Sequence, residues 1–414
     1  MDRPSSHAPA ADMPLRRGAL PIFLLLSAGT GISVGVLSLS LPLFALSLSA
    51  TPAEVGLIRG AAGIGLLCAV LPAGFLVDRF GSRTMFYAGS LGMVLCVAAY
   101  RFSTVPAALI AIAVFEGGFR CLAFNALTAT FLQALPRFGM KTVGWSKGAL
   151  SLGLSFLGPL LAGALLGVAT FHTVFTAVIV MTLAPNVLMT LVGGAGPPPR
   201  AGTGGALASV LSHGGEIAAL LRQPNVAACL GAEALVAATF SAFGTFIVVA
   251  AVSVLGMTPM TASVLAATEG ATFIATVFVA GGLIQRLSHR SAVLIGVGIA
   301  APSLASLSWG GAVPVLFAAA LTLGWGLGLL SLITTSRAGT LPGEKGKVAS
   351  LFMAAAGIGI AIGPAFGGTV AAWFGVRAVF VTFVPLYLLL AASVLGRVQK
   401  RPSGGGAINL AKQP

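Results

Sequence analysis

Twelve apolar, almost uncharged stretches follow one another between Leu20 and Leu395, and no other feature limits the fold so tightly. A water-soluble core cannot bury that much apolar chain, whereas about 20 such residues wound as a helix cross a bilayer. A transmembrane barrel is excluded, because its strands would alternate polar and apolar residues. Only 8% of the residues are charged and 57% are hydrophobic, against about 25% charged in ordinary globular domains. The sequence therefore predicts an all-α membrane protein with twelve transmembrane helices.

Polar and Pro/Gly breaks place the spans at roughly 19–48, 53–77, 84–100, 106–131, 145–168 and 172–192, then 225–255, 260–284, 291–309, 312–334, 347–372 and 375–396. Two six-helix units result, 19–192 and 225–396, joined by a Pro/Gly-rich linker at 193–224 and flanked by tails at 1–18 and 397–414. Arg16 and Arg17 before an apolar run imitate a signal peptide. The run continues to about Leu48, too far for an h-region of about 7–15 residues, and reads as an uncleaved first helix. The 55 glycines suit close helix approach in lipid rather than disorder. Cys68, Cys96, Cys121 and Cys229 lie in apolar segments without disulfide or metal-ligand spacing, as small packing residues.

The net charge of +14 is a matter of topology. All of the 23 Lys and Arg except Arg59, Arg101, Arg120 and Arg377 fall on the side that holds both termini. That side is expected to be cytoplasmic, and a nucleic-acid partner is not expected. The opposite loops are too short to form a receptor or enzyme domain.

The two halves repeat each other. "AGFLVDRFGSR" at 73–83 returns as "AGGLIQRLSHR" at 280–290, with Gln285 in place of the acid. "TPAE" from Thr51 returns as "TPMT" from Thr258 at the same offset, and Gly158-Pro159 of the fifth span returns as Gly363-Pro364 of the eleventh. Parallel six-helix repeats of this kind occur in transporters.

Gly74, Asp78, Arg79, Gly81 and Arg83 fill, position by position, the Gly-x-x-x-Asp-Arg-x-Gly-x-Arg pattern between spans two and three of the major facilitator superfamily. The chain resembles that superfamily along its whole length. In the second half only Gly281, Arg286 and Arg290 of the pattern survive. A Gly-Pro-x-x-Gly-Gly run typical of exporters is incomplete in span five, where Leu154 replaces an earlier Gly, and fuller in span eleven as Gly359, Gly363, Pro364, Gly367 and Gly368. It therefore does not assign a direction of transport. The resemblance implies a gate at the Asp78 motif, helix packing at the Gly-Pro pairs, and a cavity lined by spans one, four, seven and ten. Chain length and short loops are similar to small siderophore-uptake permeases of Gram-negative inner membranes (ferripyochelin, rhizobactin or yersiniabactin type). That likeness implies an inner-membrane location and a ferri-siderophore as substrate.

"GEKGK" at 343–347 lacks phosphate-loop spacing. His7, His172, His213 and His289 form no paired metal motif, and no nucleophile elbow is present. No enzymatic activity, cofactor or metal is expected. A secondary transporter driven by an ion gradient remains.

Ionisable groups within spans cost about 2.5–3.5 kcal/mol each on insertion scales unless paired or facing water. They are Arg59 in span two, Glu116 and Arg120 in span four, Glu233 in span seven and Glu269 in span eight. Glu116 and Arg120 share one helix face at i, i+4 spacing. They read either as a self-neutralising structural pair or as a cavity pair in which Arg120 attracts an anionic group and Glu116 exchanges a proton. Glu269, without a cation nearby in sequence, reads as a proton carrier or as a neutral acid in helix packing. Glu233 is open to the same two readings. Arg59 suits substrate entry or an outer-gate pair with Glu54. Among Phe119, Phe124, Phe240, Phe243, Phe246, Trp145 and Trp325, the Gly-flanked Trp325 is the preferred pocket aromatic, although such residues more often pack or face lipid.

The expected function is proton-coupled alternating-access transport of an amphipathic organic anion by a monomer in lipid, with a ferri-siderophore as leading substrate. Proton-antiport efflux of drugs or metabolites is the alternative. A non-transporting scaffold or sensor is the reading from another class.

Overall fold

A computed structural model describes residues 19–138, 142–192, 222–280, 287–338 and 345–396. The tails, most of the linker and the repeat positions Gly281, Gln285 and Arg286 lie outside the described residues. Among the described residues, twelve helices are long and apolar enough to cross a membrane, and there is no strand. The first half holds Ala19–Ser47, Pro52–Phe80, Ser82–Phe102 and Pro106–Phe138, a fifth span in pieces, and Phe171–Val192. The second half holds Pro224–Val249 with a short continuation, Pro259–Val279, His289–Trp309, Val313–Ala338 and Lys345–Phe374, then a last span of Ala378–Thr382 and Val384–Gly396.

The repeated "TP" phrase starts a helix in each half. Thr51 caps span two by accepting from the Glu54 N–H, Glu54 answers on the Thr51 N–H at 2.7 Å, and Pro52 follows at the first helical position. Thr258 likewise accepts from the Thr261 N–H ahead of span eight, with Pro259 next. Both use a side-chain oxygen to satisfy a free N–H and a proline where no donor is needed.

Span two is longer than its sequence reading. It continues to Phe80, and span three starts at Ser82. Asp78 and Arg79 therefore stand on the last helical turn, and the expected loop shrinks to Gly81. Its φ of +86° is open to glycine at no steric cost.

Span five is not one regular helix. Val143–Leu152 passes through a wider π turn at Gly153–Leu157 into Gly158–Val168. Pro159 has no N–H for the Ser155 carbonyl, and the Gly158 N–H bonds instead to the Gly153 carbonyl. Span eleven passes its matching Pro364 without such a break.

Within each half the packing repeats. Spans two and three lie on span four as eight and nine lie on ten, and span one lies on span five as seven lies on eleven. The halves meet through spans two and eleven, five and eight, and one and seven. At the two–eleven seam, a Cβ on Gly56 would run into Pro364 and Gly368 backbone, so only glycine allows this approach. Gly74, nearer the basic end, has open space around its Cα. The seam is thus tight toward the end away from the basic residues.

Candidate functional site

A central cavity of ≈ 190 Å³ lies between the two halves. Spans one, two, four and five supply one side of its wall, and spans seven, eight and eleven the other. Span ten supplies none of the lining, contrary to the expectation for it, while one, four and seven do. The lining is mostly apolar, with Phe124, Phe240 and Phe243 as its aromatic surface and Arg59, Arg120 and Glu269 as its ionisable groups. The π turn of span five brings Leu154 and Ser155 to the wall beside Pro159. Such turns re-aim side chains within a helix, often at functional sites.

Arg120 and Glu116 are an ion pair at 3.4 Å, with side-chain exposures of 8% and 2%. The i, i+4 spacing read from the sequence does bring them together. Arg120 reaches the cavity lining, and Glu116 stands behind it. A cation that is neutralised at the back and presented at the front can receive an anion without being bare when the cavity is empty.

Arg59 lines the same cavity from span two, and its Nε has no hydrogen-bond partner. The outer-gate pair with Glu54 does not form. Both Glu54 bonds, to the Thr51 N–H and hydroxyl, belong to the helix cap, a partner three residues away that needs no ordering of a long side chain. Among the described residues, Glu116–Arg120 is the ion pair shown, so Arg59 is left as a second cation facing the cavity.

Glu269 enters from the other half. It is 3% exposed, and its Oε1 has no hydrogen-bond partner. Glu233 lies away from the cavity. Its carboxylate accepts from the Thr334 hydroxyl of span ten at 2.6 Å, deep in the second bundle, an arrangement that matches a satisfied packing acid.

Trp325 does not reach the cavity. Half of it is exposed on the outer face of span ten, and Trp145 is likewise exposed. The glycines beside Trp325 serve helix contacts instead, since a Cβ on Gly324 would strike span eight and one on Gly326 would strike span nine. Phe119 packs on Gly92 while half-buried, and Phe246, fully buried in the core, packs on Gly367. One buried polar group escaped the sequence reading. Tyr100 of span three is fully buried with a hydroxyl lacking a partner, within electrostatic reach of Glu116, Arg120 and Arg59. A tyrosine near a span end reads as an interfacial anchor, and nothing local marks it otherwise.

In the motif that resembles a gate, Asp78 and Arg79 are exposed. Arg79 lies over the Phe80 ring, and Arg83 donates to the Tyr87 hydroxyl at 3.1 Å and to the Thr190 carbonyl of span six at 3.4 Å. Asp78 has no ion-pair partner among the described residues. Arg290 of the second half is exposed too. Of the Gly-Pro pairs, Gly158 packs against Gly35 of span one, and Gly363 against Ala238 of span seven.

The family model for the Major Facilitator Superfamily matches residues 23–252 and 230–412, nearly the whole chain. No characterised protein matches the chain by sequence. Solved structures share its fold at low identity. A variant of the nucleoside transporter NupG has a TM-score of 0.79 at 12% identity, over 91% of this chain and 99% of that one. A bacterial homologue of the human lysosomal transporter Spinster, inward-facing and occupied, has a TM-score of 0.74 at 15% identity, over 94% and 98%. The human organic anion transporter MFSD10 (TETRAN) has a TM-score of 0.64 at 17% identity, over 92% and 100%. The chain belongs to the Major Facilitator Superfamily.

Proposed function

We propose that this superfamily member is a proton-coupled secondary transporter that carries a small amphipathic organic anion by alternating access. The observation that carries the reading is the pair of cations, Arg59 and Arg120, set in an otherwise apolar cavity between the halves. Among the described residues, only Arg120 has a carboxylate within ion-pair distance. A buried excess of positive charge is costly unless an anion arrives to offset it. MFSD10, which shares the fold, is an organic anion transporter, and its substrate class is in keeping with this chemistry.

The proton is assigned to Glu116 and Glu269. An anion approaching Arg120 competes with Glu116, which a proton then neutralises. Glu269 faces the cavity with no cation beside it among the described residues and can hold the proton as a neutral acid while access to the cavity alternates. The basic end is taken as cytoplasmic, with both termini there and the chain in an inner membrane as a monomer. The open space at Gly74, and the lack of an ion-pair partner for Asp78 among the described residues, fit a state in which that end is open and the Asp78 latch disengaged. A ferri-siderophore finds little support. The cavity volume of ≈ 190 Å³ is below the range of about 300–1,000 Å³ usual for ligand pockets, which favours a small anion.

The test is uptake of a radiolabelled panel of aromatic and aliphatic carboxylates into proteoliposomes under an imposed pH gradient. Carboxylates should accumulate while their neutral amides do not. Accumulation of neutral compounds alone, or an equal rate without the gradient, would defeat the assignment.

A further inference from the structure

We infer that the substrate carries a second polar group, an ammonium or other hydrogen-bond donor, that meets Glu269 across an apolar body while its anionic group meets Arg59 and Arg120. The inference rests on the organic-anion reading and specifies it further. The polar groups of the cavity are sorted by half. Both cations come from spans two and four, and the one acid in the lining comes from span eight. Arg120 has Glu116 behind it, whereas Arg59 has no carboxylate within ion-pair distance among the described residues.

Glu269 is unsatisfied in the complementary sense. It is 97% buried, as its 3% exposure implies, and its Oε1 has no partner. Its neighbour Thr272 does not serve it, because that hydroxyl donates to the carbonyls of Thr268 and Glu269 rather than to the carboxyl. A simple anion would satisfy Arg59 and leave this carboxyl as it is. A ligand with a donor at its far end would satisfy both, and Phe124, Phe240 and Phe243 would cover the apolar part between. Such a ligand bridges the two halves, so its occupancy acts across the interface that must rearrange during transport. A small aromatic or branched amino acid, or an aminated aromatic acid, has this chemistry.

The experiment uses the full-length protein in lipid nanodiscs and equilibrium binding of matched probes on phenyl, naphthyl and indole bodies. Each body is offered as the carboxylate alone, as the amino-carboxylate and as the amine alone. For at least one body the amino-carboxylate should bind about tenfold or more tightly than its parent carboxylate, the size of a charge-assisted hydrogen bond. Glu269→Gln should remove that advantage, bringing the amino-carboxylate and its parent carboxylate to within about twofold of each other in the same variant. Arg59→Gln should weaken both acids.

The probe comparison on the wild-type protein stands even if a variant misfolds. If carboxylates bind and the amino group adds nothing for any body, this inference is overturned and the organic-anion reading survives. An advantage that persists in well-folded Glu269→Gln also overturns it. If no carboxylate binds, both fall together.

Discussion

Glu116 and Arg120 allow a quantitative test of whether the span-four pair is held together by charge. At their separation of 3.4 Å, the gross attraction is about 5 kcal/mol with an effective dielectric constant of about 20. Desolvation of two side chains exposed by only 8% and 2% offsets much of it, so the pair as a whole contributes little net stability. Removing one partner is different, since it strands the other charge at a cost of about 3–5 kcal/mol. Glu116→Gln and Arg120→Gln should each destabilise by that order, with Glu116→Gln the costlier because a guanidinium has no neutral form to fall back on. The double variant should lose far less than the sum, with a coupling of at least about 2 kcal/mol. Chaotrope unfolding in a fixed mixed micelle, followed by tryptophan fluorescence, reads all four proteins. Additivity of the two single losses would refute the pairing argument and reduce the 3.4 Å contact to mere adjacency.

Asp78→Asn should insert normally but transport poorly, as checked by membrane expression alongside uptake in vesicles; wild-type transport would remove its assignment as a latch. A protonophore should abolish accumulation in vesicles while ATP depletion alone should not, and accumulation that survives it but needs sodium would point to another ion. Gly56→Leu should leave the protein inserted but block transport, because a side chain there meets the Pro364 and Gly368 backbone; undiminished turnover would show that the seam is looser than described. Trp325→Ala should leave substrate affinity within about twofold, in line with near-neutral surface changes, and a larger loss would return that residue to the site.

The spans were legible because desolvating the backbone demands long apolar helices, and the "TP" starts were legible because a cap is a local device. Which face of a helix looks inward was not. These helices are apolar all round, so their pattern does not separate lipid from cavity. Trp325 shows the cost of that ambiguity: its glycine neighbours suggested room for a ligand, and the room is filled by spans eight and nine. Arg59 was found because a charge in a span is conspicuous, but its expected partner Glu54 was already bound to Thr51. Tyr100 was missed because its neighbours come from spans two and four, and only tertiary packing assembles them.

The tight glycine contact of span two with span eleven also sets a mechanical ratio. That contact runs from Gly56 to Gly63, where a Cβ would meet the Ala361 backbone, and Gly74 lies 11 positions beyond Gly63 along the same helix, about 17 Å at 1.5 Å per residue. With the pivot at the Gly63 end of the contact, a rotation of about 10° would sweep the Gly74 end through about 3 Å along that arm. The fulcrum itself hardly moves. A crowded pivot with no side chain in it would therefore pass a small rotation at the seam on to the basic end of the helix as a displacement of ångströms.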